Sequence, residues 1–340
     1  MNVFELTRAL VDIDSVTPNE ERVGLYLFDY LSRLAAQYAG RVEMDVERMD
    51  VEPGRFNVFA RFGEVPTVTL STHMDTVPPF FASREDGDRI WGRGACDTKG
   101  IIASMILAAE ALLASGERDF GLLFVVGEER NSAGAYHASR HPRGSRFLIN
   151  GEPTENKLAL GSKGALRYEI VAHGKAAHSA YPELGDSAIN KLIDALTRVR
   201  QIDLPSDEIL GPSTLNIGVI SGGLAPNVIA DEARAEIMVR LVGDSAATKR
   251  ALDSAVHGFA EAKEVLEIPA LKLGGLPGIE STVVAYTTDI PAFGGTWGTP
   301  YLLGPGTIHV AHTLEEQVPK RELLDAIQIY QNMIGQLKNG

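Results

Sequence analysis

Five short segments of this 340-residue chain set a carboxylate or an imidazole at the edge of a β-rich run. In open α/β sheets ligands collect beyond the carboxyl ends of strands, so side chains of this kind can gather round a metal ion. The first segment is Ser71-Thr72-His73-Met74-Asp75. Alternation along an extended chain puts His73 and Asp75 on one side, where an acid can hold the second N–H of a ligating imidazole. In Gly92-Arg93-Gly94-Ala95-Cys96-Asp97, Asp97 is either the N-cap of the following helix or a carboxylate shared by two metals, with glycines that let backbone crowd the site. Cys96 reads as a small buried hydrophobe. Glu128 and Glu129 follow an apolar run, and one of the pair can bind metal while the other stays free as a base. Glu152 stands in Asn150-Gly151-Glu152-Pro153. The last segment runs from Gly304 to His312 and holds His309 and His312, of which both or only one could ligate; Glu315 and Glu316 follow.

His73, Asp97, Glu129, Glu152 and His312 form a nitrogen and oxygen donor set that suits zinc, with cobalt or manganese as substitutes. One shared Asp, with one His and one Glu per metal, gives three protein ligands each and leaves open positions for water. No phosphate-loop signature and no full G-x-G-x-x-G follows a strand-like run, which excludes the common nucleotide sites.

Elements able to position these residues can be read from periodicity. Residues 4–13, 20–36 and 99–115 have helical apolar spacing; the third has Ile101, Ile102, Met105, Ile106, Ala109, Leu112 and Leu113 on one broad face, ended by Gly116. Residues 68–72, 121–126 and 147–150 are strand-length apolar runs. Buried strands between helices predict an α/β sandwich with a mostly parallel sheet. The middle of the chain reads as strand 165–172, helix 186–200, strands 214–220 and 233–242, helix 246–260 and strand 265–271. This β-α-β-β-α-β order is that of a ferredoxin-like open sandwich. Gly274, Gly275, Pro277 and Gly278 mark an exit, and residues 320–337 form a final helix. The expectation is a discontinuous first domain, 1–161 and 278–340, with a domain inserted at 162–277.

Hydrophobic residues make up 44% and charged residues 23% of the chain, and the net charge is −13. The composition is that of a globular enzyme. Its acidity argues against nucleic acid and anionic membrane surfaces as partners. A lone cysteine, Cys96, allows no intrachain disulfide. Residues 1–15 lack a signal-peptide pattern, and no apolar run is long enough to span a membrane. A cytoplasmic protein is expected.

Taken in order, the five segments resemble those of the zinc metallopeptidase family M20, which holds acetylornithine deacetylase, succinyl-diaminopimelate desuccinylase, aminoacylase-1 and carboxypeptidase G. The resemblance covers nearly the whole chain. It implies a phosphorylase/hydrolase-like catalytic domain, with the inserted unit as a dimerisation or lid domain, and a homodimer. It implies two zinc ions, one held by His73 and Glu152, the other by Glu129 and His312, with Asp97 bridging. Glu128 would be the general base and Asp75 would orient His73. Gly174-Lys175-Ala176-Ala177-His178-Ser179 resembles the family segment whose His reaches the partner subunit's site. Asn227, in Pro226-Asn227-Val228-Ile229, and Arg240 match positions near the substrate. Lys163, in Gly161-Ser162-Lys163-Gly164, stands where many relatives carry Arg, and it offers a point charge in place of a bidentate fork. Glu315 fills a slot that is usually Asp or Asn. The substrate implied is an N-acyl amino acid, most like that of acetylornithine deacetylase. The desuccinylase substrate, or a short peptide cut by a dipeptidase or carboxypeptidase, is the alternative.

Overall fold

The computed structural model describes residues 1–340. In chain order the main elements are α1 (Val3–Val11), α2 (Glu21–Gln37), β1 (Met44–Glu52), β2 (Arg55–Phe62), β3 (Val68–His73), α3 (Lys99–Ala114), β4 (Phe120–Val125), α4 (Ala133–Ser139) and β5 (Phe147–Asn150). There follow β6 (Gly164–His173), α5 (Ala188–Val199), β7 (Thr214–Gly222), β8 (Glu232–Leu241), α6 (Ser245–Val256), β9 (Glu261–Ile268), β10 (Thr299–Leu302) and α7 (Lys320–Asn339). The chain divides into two units, one of residues 1–160, 273–282 and 288–340, the other of 161–272 and 283–287. The exit thus lies at Lys272, earlier than the glycine-rich stretch at 274–278, and a short segment that the sequence reading placed in the first domain belongs to the second unit.

The first unit is built on a six-stranded sheet in the order β1-β2-β4-β3-β5-β10. β4, β3, β5 and β10 run parallel, whereas β1 and β2 form an antiparallel hairpin on one edge. The sheet is therefore mixed, not simply parallel. Alternation along β4 sends Leu122 and Phe124 into a core shared with α1, α2, α3 and α7, and Leu123 and Val125 into a smaller core with Phe59, Ala135, Ala138, Phe293 and Trp297. Helices thus cover both faces, as buried parallel strands require. α3 is buried around almost its whole circumference, beyond the broad face expected, because it packs against both α1 and α7.

The four parallel strands share one direction, so β3, β4 and β5 deliver His73, Glu128 and Glu152 to a common edge. His73 pairs in register with Val125, and Ser71 with Asn150. The β4 end is pinned by the buried Asn57, which donates to the Gly134 carbonyl at 2.9 Å and accepts from the Val126 N–H at 3.2 Å.

The second unit holds a four-stranded antiparallel sheet in the order β7-β8-β6-β9. α5 and α6 cover one face through Leu192, Leu196, Val199, Leu252 and Val256. The last strand lies earlier than its expected place at 265–271, because its apolar residues are half exposed and give a weak alternating signal. No helix of the chain is long and apolar enough to cross a membrane.

Replacing Asn57 by Leu keeps the branched shape but leaves two buried backbone groups unpaired, each costing about 1–3 kcal/mol. We expect this variant to lose roughly 2–6 kcal/mol in chemical denaturation of the first unit. A loss below roughly 0.5 kcal/mol, the size of an ordinary surface change, would show that Asn57 does not pin the β4 end.

Candidate metal centre

His73 ends β3 and is 1% exposed. Its Nδ1 donates to the backbone carbonyl of Asp75 at 3.0 Å, with Asp75 Oδ1 at 3.5 Å. A carbonyl can only accept, so Nδ1 donates to the main chain, and Nε2 is the ring atom left to give up its proton to a cation. Nε2 faces Asp97 Oδ1 at 3.0 Å. The other oxygen of Asp97, Oδ2, lies 3.3 Å from His312 Nε2, and His312 Nε2 lies 3.1 Å from Glu129 Oε1. One carboxylate therefore turns one oxygen to each of two imidazoles. His73, Asp97 and Glu129 present ligand atoms within 4.8 Å of one another.

Asp97 is not the N-cap of α3; Thr98 holds that position and makes no side-chain cap. Cys96 is fully buried and donates to the Thr307 carbonyl at 3.4 Å, and burial pushes its thiol pKa well up, so it stays a thiol. His309 is exposed, and its backbone N–H turns to Thr307 Oγ1. His312 reaches Asp97 instead, with φ +62° in the left-handed region, a conformation that costs energy outside glycine and clusters at functional sites. Glu315 is exposed and touches none of these groups through its side chain.

Asp75 does something beyond its expected part. Its carboxylate, 0% exposed, accepts from the N–H groups of Gly127 (3.0 Å), Glu128 (3.1 Å) and Glu129 (3.2 Å) and from Thr17 Oγ1 (2.7 Å). The His73 imidazole takes the Asp75 main chain as its nearer partner. The side chain mostly folds the turn that carries Glu128 and Glu129. Gly127 allows that turn, with φ +81°, and a Cβ there would lie 2.9 Å from the Arg55 guanidinium.

Electrostatics test whether cations fit. Burial, joined by neighbouring carboxylates, pushes the pKa of Glu128 and Glu152 well up and raises Glu129. Glu152 Oε1 is buried without a hydrogen-bond partner. Asp289, 1% exposed, is a further acid among them, and burial raises it to about 7. The same carboxylates hold protons on the imidazoles. Asp97 and Glu129 raise His312 to about 10. For His73 burial lowers the pKa, but the hydrogen bonds it donates to Asp75 and Asp97 outweigh that and raise it well above its ordinary value. Such a concentration of buried negative charge is costly unless cations offset it. An orphaned carboxylate oxygen, two imidazole Nε2 atoms and a shared carboxylate fit a pair of divalent ions.

Asp289 and the roles of Thr17 and Glu316 escaped the sequence reading. Asp289 precedes only a four-residue helix, Ile290–Phe293, and follows no strand-length apolar run. The remaining expected residues lie in the second unit. His178 is exposed, and its Nδ1 accepts from the Ala180 N–H at 3.2 Å. The Asn227 carbonyl accepts from the Ser179 N–H. Arg240, on β8, is partly buried, and burial alone lowers its pKa. Lys163 Nζ donates to the Pro212 carbonyl at 2.6 Å.

Residues 69–336 match the model of peptidase family M20/M25/M40. A peptidase M20 domain-containing protein of Schizosaccharomyces pombe is 38% identical over 98% of this chain and 84% of its own length. A probable carboxypeptidase of Uncinocarpus reesii is 34% identical over 98% of this chain and 86% of its own. The crystal structure of a Bacillus subtilis protein described as a dinuclear metal binding peptidase from the M20 family superposes with a TM-score of 0.67 at 18% identity, covering 98% of this chain and 96% of that one. The strand-end acids, the imidazoles and the fold thus have a common source: the chain belongs to peptidase family M20/M25/M40, hydrolases of peptide and amide bonds.

Proposed function

We propose that the chain is a carboxypeptidase-type hydrolase of short peptides, working with two divalent metal ions, of which zinc suits the donor set best. The observation that carries this reading is Asp97, one oxygen toward His73 Nε2 and the other toward His312 Nε2. His73 and Glu152 would hold one ion, Glu129 and His312 the other, and Asp97 both. When bound, the ions supply an acidified water and polarise the scissile carbonyl. Glu128 takes the proton of the attacking water and returns it to the leaving amine. Asp75 keeps the Glu128–Glu129 turn in place for that transfer.

Arg240 supports a substrate with a free carboxylate. It is a partly buried guanidinium with no neighbouring acid shifting its pKa, and such a group can grip a carboxylate in bidentate fashion. A C-terminal carboxylate belongs to peptides and to N-acyl amino acids alike. The carboxypeptidase name of the Uncinocarpus relative supports peptides; the relatives described above give no support to the acetylornithine deacetylase expectation. Lys163 Nζ gives one of its three N–H donors to the Pro212 carbonyl and keeps two, so it stays a candidate point charge for the substrate.

A homodimer is the assembly we infer. β7 is an edge strand, and Val219 and Ile220 on it are 53% and 63% exposed, with Leu224 after it at 88%. Open edges with apolar side chains invite pairing with a second copy. His178 of the partner subunit would then donate to the developing oxyanion, and Asn227 would line the substrate.

The defining assay is a panel of N-blocked dipeptides, free dipeptides and tripeptides, and N-acyl amino acids including N-acetylornithine, with zinc and with chelator. We expect chelator-sensitive release of the C-terminal residue from N-blocked dipeptides. Cleavage of N-acetylornithine alone would restore the deacetylase, and cleavage of free-amino peptides alone would make the enzyme an aminopeptidase. Glu128→Gln should keep its metal content and lose about 10²–10⁴-fold in kcat; full activity would remove Glu128 as the base.

Metal removal should also change how stability depends on pH. Asp289, raised from 3.8 to about 7, and His312, raised from 6.5 to about 10, each hold a proton in the folded state that the unfolded chain has released. Raised groups stabilise below their unfolded pKa and lose that contribution as pH rises through the folded value. The metal-free protein should therefore lose stability as pH rises toward and through about 7 for Asp289, and onward toward about 10 for His312. Metal competes with these protons, so the gap in Tm between loaded and chelated protein should widen with pH. A gap that stays flat or narrows in thermal scans would contradict this.

A further inference from the structure

Glu316 lies in the segment after His312, and its side chain is as deeply buried as any in the molecule, at 0% exposure. It does not face the imidazoles. Its Oε1 accepts from three backbone N–H groups of the loop that ends in Asp97: Gly94 at 2.9 Å, Asp97 at 3.1 Å and Cys96 at 3.3 Å. Its Oε2 accepts from Arg93 at 2.5 Å, and its own carbonyl accepts from the Gly92 N–H at 3.1 Å. Arg93, 1% exposed, is held in turn by the Pro79 carbonyl at 3.2 Å and by the Phe81 ring, 5.1 Å from the guanidinium carbon.

Several N–H groups converging on one point make a concave anion site in the backbone. Here the anion is part of the chain. The loop can close on it because Gly94 adopts φ +87°, where a Cβ would come within 2.9 Å of both Lys99 and Thr76. With the N–H groups of Gly94, Cys96 and Asp97 turned inward onto Glu316, the Asp97 side chain is free to face the two imidazoles.

We infer that Glu316, clamped by Arg93, is a positioning residue that fixes the shared ligand Asp97 and ties its loop to the segment bearing His312. The inference rests on the reading of Asp97 as a ligand to two metal ions. Arg93 and the three N–H groups engage both oxygens of Glu316, so its part is to set the geometry of the loop that carries Asp97. Asp75 does the same for the Glu128–Glu129 turn. Two ligand-bearing loops are thus each folded round a buried carboxylate by three N–H groups.

The test measures zinc affinity by competition with a chromophoric chelator, on full-length protein stripped of metal and titrated with zinc. Glu316→Gln keeps the shape and removes the charge. It should weaken zinc binding about 10–100-fold, the usual effect of removing a group that orients a ligand. The double variant Arg93→Met with Glu316→Gln removes the stranded guanidinium and keeps the measurement possible if the single variant folds poorly. It should regain thermal stability without regaining affinity. Recovery of wild-type affinity along with stability would mean that the pair serves only the fold, and the inference would fall. In metal-free wild-type protein the Gly94, Cys96 and Asp97 amides should be protected from hydrogen exchange; exchange at the rate of unstructured amides would overturn it equally. The two readings part cleanly. Wild-type protein that binds no zinc defeats the metal centre itself. Wild-type protein that binds two ions, beside a folded Glu316→Gln variant that binds both within about twofold, defeats only the clamp.

Discussion

Repulsion among buried carboxylates is the constraint on which the first unit turns. Asp75, Asp97, Glu152 and Asp289 are each at most 5% exposed, and Glu128 and Glu129 are only partly exposed. Each buried charge forfeits hydration worth several kcal/mol. The fold answers in two ways. Asp75 and Glu316 are given backbone N–H donors, and Glu316 a guanidinium as well. Glu128, Glu152 and Asp289 receive far fewer donors; burial drives their pKa values up, as it does that of Glu316, to about 7. The satisfied carboxylates organise loops. The unsatisfied ones are left to cations, protons or a reacting water, which is what a hydrolytic centre has to offer.

Only certain architectures can bring so many acids together without breaking the core. Parallel strands end on one edge, so β3, β4 and β5 each hand over to a loop at the same place, while their apolar residues stay buried between helices on both faces. The antiparallel hairpin β1–β2 extends the sheet on the side away from β10 and contributes Asn57, which braces the end of β4. The edge hairpin therefore has a local purpose at the site, although it supplies no ligand.

Much of this was legible in the sequence because it is local. A carboxylate or imidazole after an apolar run marks a strand end, and the strand and helix periods placed β3, β4 and β5, though not β10, and the β-α-β-β-α-β order. What escaped depends on contacts between distant segments. Glu316 meets the Asp97 loop from 219 residues away, and Thr17 meets Asp75 across 58; neither leaves a trace in spacing. Asp289 lies outside any periodic run, so nothing marked it as a neighbour of Glu128. The β1–β2 hairpin was missed although Pro53-Gly54 sits between two strand-forming runs, because β1 alternates weakly and is largely exposed. The pairing of His73 with Asp75 was anticipated from alternation. Its detail was not, since a backbone carbonyl two residues on is as good an acceptor as the carboxylate and lies closer.

Glu128 and Glu129 show how the same side chain acquires two fates one residue apart. Both N–H groups are bound by Asp75, so the backbone of the turn is fixed and the side chains diverge. Glu129 finds His312 at 3.1 Å, and that hydrogen bond pulls its pKa back against burial. Glu128 has no such bond, and burial leaves its pKa well above the ordinary range. Glu129 is thereby a carboxylate held in ligating geometry, and Glu128 a carboxylate whose affinity for a proton has been raised and whose oxygens are uncommitted. A base that must take a proton and give it back needs that raised affinity. The difference comes from one turn, fixed by one buried acid, and one imidazole that reaches only the second of the pair.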